Sequence, residues 1–312
     1  MDNPFEYSNT NLRYHSLSYY FKEKYKSKVF KVALDANFTC PNRDGSCGYG
    51  GCSFCSSQGS GEFAGHKEND LMTQYNNVKK KMLKKWPEAK TIPYFQAYTS
   101  TYGPLSKIKE MVNLFLEIDE VVAIDIATRP DCLKDDVISY LDSLTQIKDI
   151  WIELGLQTIY DKTAQEFNRG YDFNIFLDTV NRLSKTNIKV CVHLINGLPN
   201  ESPEMMINSA KTISKLPIDA IKIHMLHLVN DSRLGQEYLK KPFKILSKEE
   251  YVNIVVSQLE VIPKHIIIQR LTGDAKSSKL IVPKWTLNKF VVMNDIQKEL
   301  VKRNSWQGKL LT

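Results

Sequence analysis

Four cysteines fall within sixteen residues, Cys40, Cys47, Cys52 and Cys55, in the run CPNRDGSCGYGGCSFC. The whole chain has only six, and thiols clustered in a cysteine-poor sequence point to metal or redox chemistry. Two metal readings suit them. A structural zinc needs a closed tetrahedron, usually built from two closely spaced cysteine pairs. Here only Cys52 and Cys55 are tightly paired; six residues separate Cys40 from Cys47 and four separate Cys47 from Cys52. A cubane iron–sulfur cluster can be held by three thiolates, leaving one iron open to another ligand. The run follows the first strand candidate directly, at the edge where parallel α/β architectures carry their active sites, and that position favours the cluster. Gly45, Gly48, Gly50 and Gly51 let the backbone fold tightly round a bound object.

These residues need a scaffold, and the flanking sequence supplies one. β-rich runs at 29–36, 91–99, 121–128, 150–157, 188–195 and 220–226 alternate with helical patterns, and HIIIQRL (265–271) is a candidate seventh. Several runs are almost continuously apolar, as strands under a layer of helices are. Over 105–118, Ile108, Met111, Val112, Phe115 and Leu116 recur at helical steps, which predicts one buried stripe. Ser202 followed by Pro203 marks a helix start by capping and by proline at the first helical position. Strand–helix repetition of this kind implies parallel strands and right-handed crossovers. The expected fold is α/β, a partial (β/α)6 TIM-like barrel over 29–261, with an N-terminal extension (1–28) and a C-terminal extension (262–312) that holds a helix near 288–303.

Composition narrows the class. With 42% apolar and 25% charged residues in 312, the chain reads as globular rather than disordered. No apolar run approaches the roughly 18 residues of a membrane span, and the start lacks a signal-peptide pattern; a soluble, cytoplasmic protein with no membrane partner is expected. The net charge of +7 arises entirely after residue 261, where ten Lys/Arg face three Asp/Glu. Such a basic zone suits a polyanion such as nucleic acid, or serves as a solvated helix face. Cys132 and Cys191 read as small core residues, and no His/carboxylate set argues for a second metal.

Cys40 followed by Cys52-Ser-Phe-Cys55 resembles the radical S-adenosylmethionine (SAM) signature in a widened form. LDANFTCPNRDG (34–45), FQAYTSTYGP (95–104), ATRPDCL (127–133), ELGLQT (153–158), NRGYD (168–172), HLINGLPNES (193–202) and RLTGDAKSSKLIVPKWTLNKF (270–290) resemble the YtqA/YhcC family. That family is related to Elp3-type and coproporphyrinogen-type radical SAM enzymes, and its MnmL-type members are associated with tRNA wobble-uridine modification.

The resemblance implies a [4Fe-4S] cluster on Cys40, Cys52 and Cys55, with Cys47 not a ligand, and SAM bound at the open iron. It implies SAM contacts from Phe54 near the adenine, Gln96, Glu153, Gln157, Arg169 on the methionine carboxylate, and the turn at Asn196 and Gly197. His193 stands where relatives carry a ribose-binding aspartate. Arg129 is expected to face the same cavity. Arg270, Lys284, Trp285 and Lys289 are expected to form a rim for RNA, cations holding phosphate and the aromatic stacking a base. The implied substrate is tRNA at its anticodon, with 5-carboxymethylaminomethyluridine 34 (or its 2-thio form) converted to 5-aminomethyluridine. A low-potential donor such as flavodoxin or ferredoxin is implied as well. The rival readings are a radical SAM oxidoreductase acting on a small molecule and a zinc-stabilised RNA-binding protein.

Overall fold

Side chains on a strand alternate between two faces, and here the two faces pack against different things. The computed structural model describes residues 3–59 and 61–311; residues 1, 2 and 312, the outer limits of the two expected extensions, lie outside the described residues. The chain runs α1 (Leu17–Tyr25), β1 (Val29–Leu34), α2 (Leu71–Leu83), β2 (Lys90–Phe95), α3 (Leu105–Asn113), β3 (Ala123–Thr128), α4 (Asp135–Ser143) and β4 (Asp149–Gln157). It continues through α5 (Asp161–Glu166), α6 (Phe173–Leu183), β5 (Lys189–Asn196), α7 (Pro203–Ile213), β6 (Ala220–Met225) and β7 (Leu228–Val229). Last come α8 (Arg233–Lys240), α9 (Lys248–Val261), β8 (Ile267–Arg270), β9 (Leu280–Val282) and α10 (Lys289–Lys302). Among the described residues no helix is long and apolar enough to cross a membrane.

Seven strands form one parallel sheet in the order β1-β2-β3-β4-β5-β6-β8. β1 and β8 are its edge strands and do not pair with each other, so the sheet curls into a half-barrel rather than closing. β8 lies in the segment expected to be a C-terminal extension: the chain after residue 261 returns to the barrel and supplies a seventh strand. β7 and β9 pair separately as a short antiparallel ribbon.

The outer face carries the main core. Ile150, Ile152, Leu154 and Leu156 of β4 join Ile124, Ile126, Val190 and Val192 there, beneath helices such as α6, which buries Phe176, Thr179, Val180 and Leu183. That i, i+3, i+4, i+7 spacing is one helical stripe, and each fully buried large apolar side chain contributes roughly 1.5–3 kcal/mol. Ser202 caps α7 by accepting from Met205 N–H, with Pro203 first in the helix. The 105–118 pattern is helical only to Asn113; Phe115 stays buried in the turn that follows. β2 stops at Phe95, four residues short of the expected end, because the backbone turns through a left-handed Tyr98 (φ +58).

The inner face is layered. Val29, Ile92, Ala123, Trp151, Cys191, Ala220 and Ile267 form an apolar layer capped by Phe21 and Tyr20 of α1. α1 therefore plugs the end of the half-barrel where the strands begin. Its own start is fixed by Ser16, which accepts from Tyr19 N–H and bridges to Ile268. The space left inside opens toward the strands' C-terminal ends.

Candidate active site

That space is a cavity of about 690 Å3. The loop after β1 covers one end of it. Cys40, Cys52 and Cys55 line the cavity and Cys47 does not; Cys47 is exposed, with its Sγ 3.6 Å from Arg129 Nη2. Backbone hydrogen bonds shape the loop: Arg43 N–H to Cys40 O (2.8 Å), Gly51 N–H to Asn42 O (2.7 Å), Cys55 N–H to Cys52 O (3.0 Å). Ser53 N–H donates to Phe167 O, and Ser53 O accepts from Leu234 N–H, which pins the Cys52–Cys55 turn between two distant parts of the chain. Gly51 (φ +77) occupies a left-handed turn beside Arg43, a conformation glycine adopts without steric cost. The Cys52 thiol is pulled down to about 7 by its hydrogen bond with Cys55, helped by Arg129 and Asn42 against the effect of burial. The same contact, with burial, pushes the Cys55 thiol up, so the pair offers one thiolate near neutrality, the form in which cysteine binds an iron–sulfur cluster. Three thiols on the cavity wall, with Cys47 exposed and off it, suit a three-ligand cluster better than a zinc site that needs all four cysteines.

Below the loop, one step deeper along the strands, the inner face turns polar. Lys31, Tyr94, Asp125, Glu153, His193, Lys222 and Gln269 lie two residues beyond the apolar layer on seven successive strands. Lys31 Nζ donates to Asp125, to Glu153 Oε1 (2.7 Å) and to Gln269 Oε1 (2.8 Å). Lys222 Nζ donates to Glu153 Oε2 (2.5 Å) and Tyr94 OH (3.3 Å), and His193 Nε2 lies 2.9 Å from Glu153 Oε2. Burial alone would push the Glu153 carboxyl up, but Lys222 and Lys31 outweigh it and hold it well below the usual range. Asp125 is raised to about 7 by burial and by Glu153. Burial keeps His193 below its ordinary value despite Glu153, so the ring is neutral at pH 7. Ligand atoms of Glu153, Cys191 and His193 come within 4.8 Å of one another, yet two ammonium groups already occupy the carboxylate. The set is an ion-pair floor, not a second metal site.

The sequence matches the profile of the Radical SAM superfamily over residues 44–213, more than half of the chain, and that of the Radical_SAM C-terminal domain over residues 218–302. The chain belongs to the radical SAM superfamily. Enzymes of this superfamily use a [4Fe-4S] cluster and SAM. The chain is 48% identical to the protein YtqA of Bacillus subtilis over 99% of its own length and 96% of that protein's. It is 26% identical to a tRNA uridine(34) acetyltransferase of Methanocaldococcus infernus, over 51% of this chain and 30% of that one. In fold it resembles the archaeal Methanocaldococcus infernus Elp3 (TM-score 0.66, 19% identity, 90% of this chain and 64% of that one).

The residues expected to hold SAM divide into two groups. Phe54, Gln96, Glu153, Gln157, Arg169 and His193 all line the cavity of this radical SAM fold, and Asn196 and Gly197 do not. Of the six, Phe54, Gln96 and Gln157 lie outside the ion-pair floor and the Arg169 brace. Phe54 also packs on Phe167, with ring centroids 5.2 Å apart, and Gln157 sits with φ +66 at a register shift where β4 ends. The others have different work. Arg169 is 1% exposed; its Nε donates to Tyr171 O, its Nη1 to Leu156 O and Thr158 O, and its Nη2 to Asp161. Four of its five N–H groups therefore hold the β4–α6 connection together rather than waiting for a carboxylate. Glu153 is wholly buried as the centre of the floor, and His193 is its partner rather than a residue of the cluster end. The Asn196 amide is paired reciprocally with Gln258 (2.8 and 2.9 Å). Gly197 (φ +90) packs against Leu246 beside a separate groove, and neither residue lines the main cavity.

The expected substrate residues divide similarly. Arg129 lines the cavity but is braced by Asp131 (2.7 Å) and Arg169 O (2.7 Å). Arg270 lines the mouth next to Asp274 (3.3 Å), which Lys289 also meets at 3.2 Å from just outside. Lys284 is turned back onto Leu280 O. Trp285 donates to Leu246 O (3.1 Å) and packs on Tyr251 with centroids 5.4 Å apart, so its ring holds α9 instead of offering a face to a base. Sequence reasoning missed Lys31, Asp125 and Lys222. Their signal was present, a lone charge flanked by apolar residues within VFKVAL, AIDIAT and AIKIHM, each at an inward position.

Proposed function

We propose that this protein is a tRNA-modifying radical SAM enzyme that converts 5-carboxymethylaminomethyluridine 34, or its 2-thio form, to 5-aminomethyluridine. The observation that carries the reading is a three-thiol end facing a cavity whose described lining includes eight Lys/Arg and three Asp/Glu. Four of those cations, Lys31, Lys222, Arg129 and Arg169, are held by the floor or by the loops around it, which leaves Arg43, Arg270, Lys276 and Lys279 toward the mouth. A flipped anticodon base could enter while its phosphates meet Arg270 and Lys276. The similarity to a tRNA uridine(34) acetyltransferase over half the chain supports the same substrate class.

Cys40, Cys52 and Cys55 would hold the cluster, and Phe54, Gln96 and Gln157 would flank SAM. When bound, that pair of cofactors would supply a 5′-deoxyadenosyl radical to take a hydrogen from the carboxymethyl methylene. Loss of one further electron, returned to the oxidised cluster, would leave an iminium, and water would then cleave its C=N bond to release glyoxylate and the aminomethyl group. The half-barrel would fix the substituent and keep bulk water from the radical before that hydrolysis. A low-potential donor such as flavodoxin or ferredoxin would deliver the electron, in the cytoplasm where tRNA resides.

The test is anaerobic reconstitution followed by assay with tRNA carrying the carboxymethylaminomethyl group. 5′-Deoxyadenosine should rise with that tRNA, and nucleoside mass spectrometry should show the aminomethyl product. Zinc bound stoichiometrically without SAM cleavage would support the RNA-binding rival, and 5′-deoxyadenosine formation indifferent to tRNA would support a small-molecule substrate.

A further inference from the structure

The floor contains two residues whose hydrogen bonding is incomplete in complementary ways. An ammonium has three N–H donors. Lys31 uses all three, on Asp125, Glu153 and Gln269. Lys222 uses two, on Glu153 and Tyr94, and its third has no partner among the described residues. A carboxylate can only accept, so the 2.9 Å contact with Glu153 makes His193 Nε2 the donor. In a neutral ring Nδ1 is then the bare acceptor, and it has no protein partner among the described residues, nor is it among the sealed-off polar atoms. Lys222 and His193 are paired neighbours on β6 and β5. Both line the cavity, and a fifth of the His193 side chain remains exposed.

A spare cationic donor beside a spare neutral acceptor matches a ligand group that carries a carboxylate next to an amine N–H. We propose that Lys222 and His193 form the substrate subsite of this cavity, Lys222 receiving a carboxylate and His193 Nδ1 accepting from the neighbouring amine of a glycine-like substituent. This rests on the reading of the substrate as a carboxymethylaminomethyl nucleoside, in which those two groups are one methylene apart. The subsite lies on the strands themselves, whereas the cysteine loop follows the C-terminal end of β1, so it would draw the substituent down into the barrel. Lys31 completes the floor by holding Glu153 charged and in place, and the fixed carboxylate sets the His193 tautomer.

The experiment compares two anticodon stem-loops on the reconstituted holoenzyme with SAM, one with 5-carboxymethylaminomethyluridine at position 34 and one with 5-methylaminomethyluridine, which keeps the amine and lacks the carboxylate. The unsubstituted protein should bind the first tighter by on the order of tenfold, the weight of one charged hydrogen bond. Lys222→Met should remove that preference by weakening the first alone, Lys222→Arg should keep most of it, and His193→Phe should weaken both stem-loops. Iron content and the thermal midpoint report whether each variant has folded. Equal binding of the two stem-loops by the unsubstituted protein overturns the subsite even if no variant folds, and so does an undiminished preference in Lys222→Met. Stimulation of 5′-deoxyadenosine formation by the first stem-loop is read separately. If it occurs without a binding preference, the proposed reaction stands and the subsite fails.

Discussion

Replacing Arg169 by methionine separates two roles that one residue cannot fill at once. The side chain is 1% exposed and donates to three main-chain carbonyls, Tyr171, Leu156 and Thr158, besides Asp161. Methionine fills similar space but offers no donor, so Tyr171 O and Thr158 O lose their partner while Leu156 O keeps the Thr158 N–H. A buried acceptor left unsatisfied costs about 1–3 kcal/mol, and two of them set the loss at roughly 4 kcal/mol. For a chain of this size that corresponds to a fall in melting temperature on the order of 10 °C. The assay is thermal and urea unfolding of the apoprotein, with SAM affinity of the reconstituted protein measured below the transition. Arg169→Lys, which keeps the charge and up to three donors, should recover part of the loss. A variant as stable as the parent but with SAM affinity reduced tenfold or more would refute the structural role and restore the carboxylate-binding expectation.

Alanine at Cys40, Cys52 or Cys55 should each abolish iron retention after reconstitution, whereas Cys47→Ala should keep it, since only the first three line the cavity; iron and sulfide analysis reads the difference. Glu153→Gln should destabilise the fold by about 3–5 kcal/mol, the cost of leaving buried cations without their counter-charge, as measured by denaturant unfolding. Asp125 has a folded pKa raised from 3.8 to about 7, so the folded state holds that proton more tightly than the unfolded chain does. Its contribution is complete below about pH 4 and declines as pH rises to about 7. Asp125→Asn cannot titrate, and its stability relative to the parent should climb across that window in urea unfolding curves. Lys276→Glu should weaken tRNA binding and flatten its salt dependence by about one phosphate contact or more. Lys284→Glu should do neither, because Lys284 is turned back onto Leu280 O and lies off the cavity; binding titrations at several salt concentrations distinguish the two.

Much of the scaffold was legible because strand and helix periods are local. The six strand runs, the Ser202–Pro203 helix start and the stripe through Ile108, Met111 and Val112 all appear, with β2 ending four residues early and the Leu105 helix stopping at Asn113. β8 was visible as an apolar run, but its membership of the sheet was not, since only the α9 crossover returns it beside β6. The rim was read least well. Lys284, Trp285 and Lys289 adjoin in sequence, and sequence proximity says nothing about which way each side chain turns.

The cysteine spacing by itself placed the metal chemistry in one loop, because ligands at most fifteen residues apart are brought together there whatever the rest of the chain does, while iron–sulfur cluster and zinc both remained open to it. The parallel half-barrel was determined almost as directly, through hydrophobic periodicity. Only the tertiary structure decided what faces that loop across the cavity. The floor joins Lys31, Asp125, Glu153, His193, Lys222 and Gln269 from six strands spread over most of the chain. Their charges become a network only when sheet register stacks them in one layer and burial makes each depend on its neighbours. The same burial turned Arg169 inward: a guanidinium surrounded by main-chain carbonyls is held by them, however well its position in the sequence matches a cofactor contact.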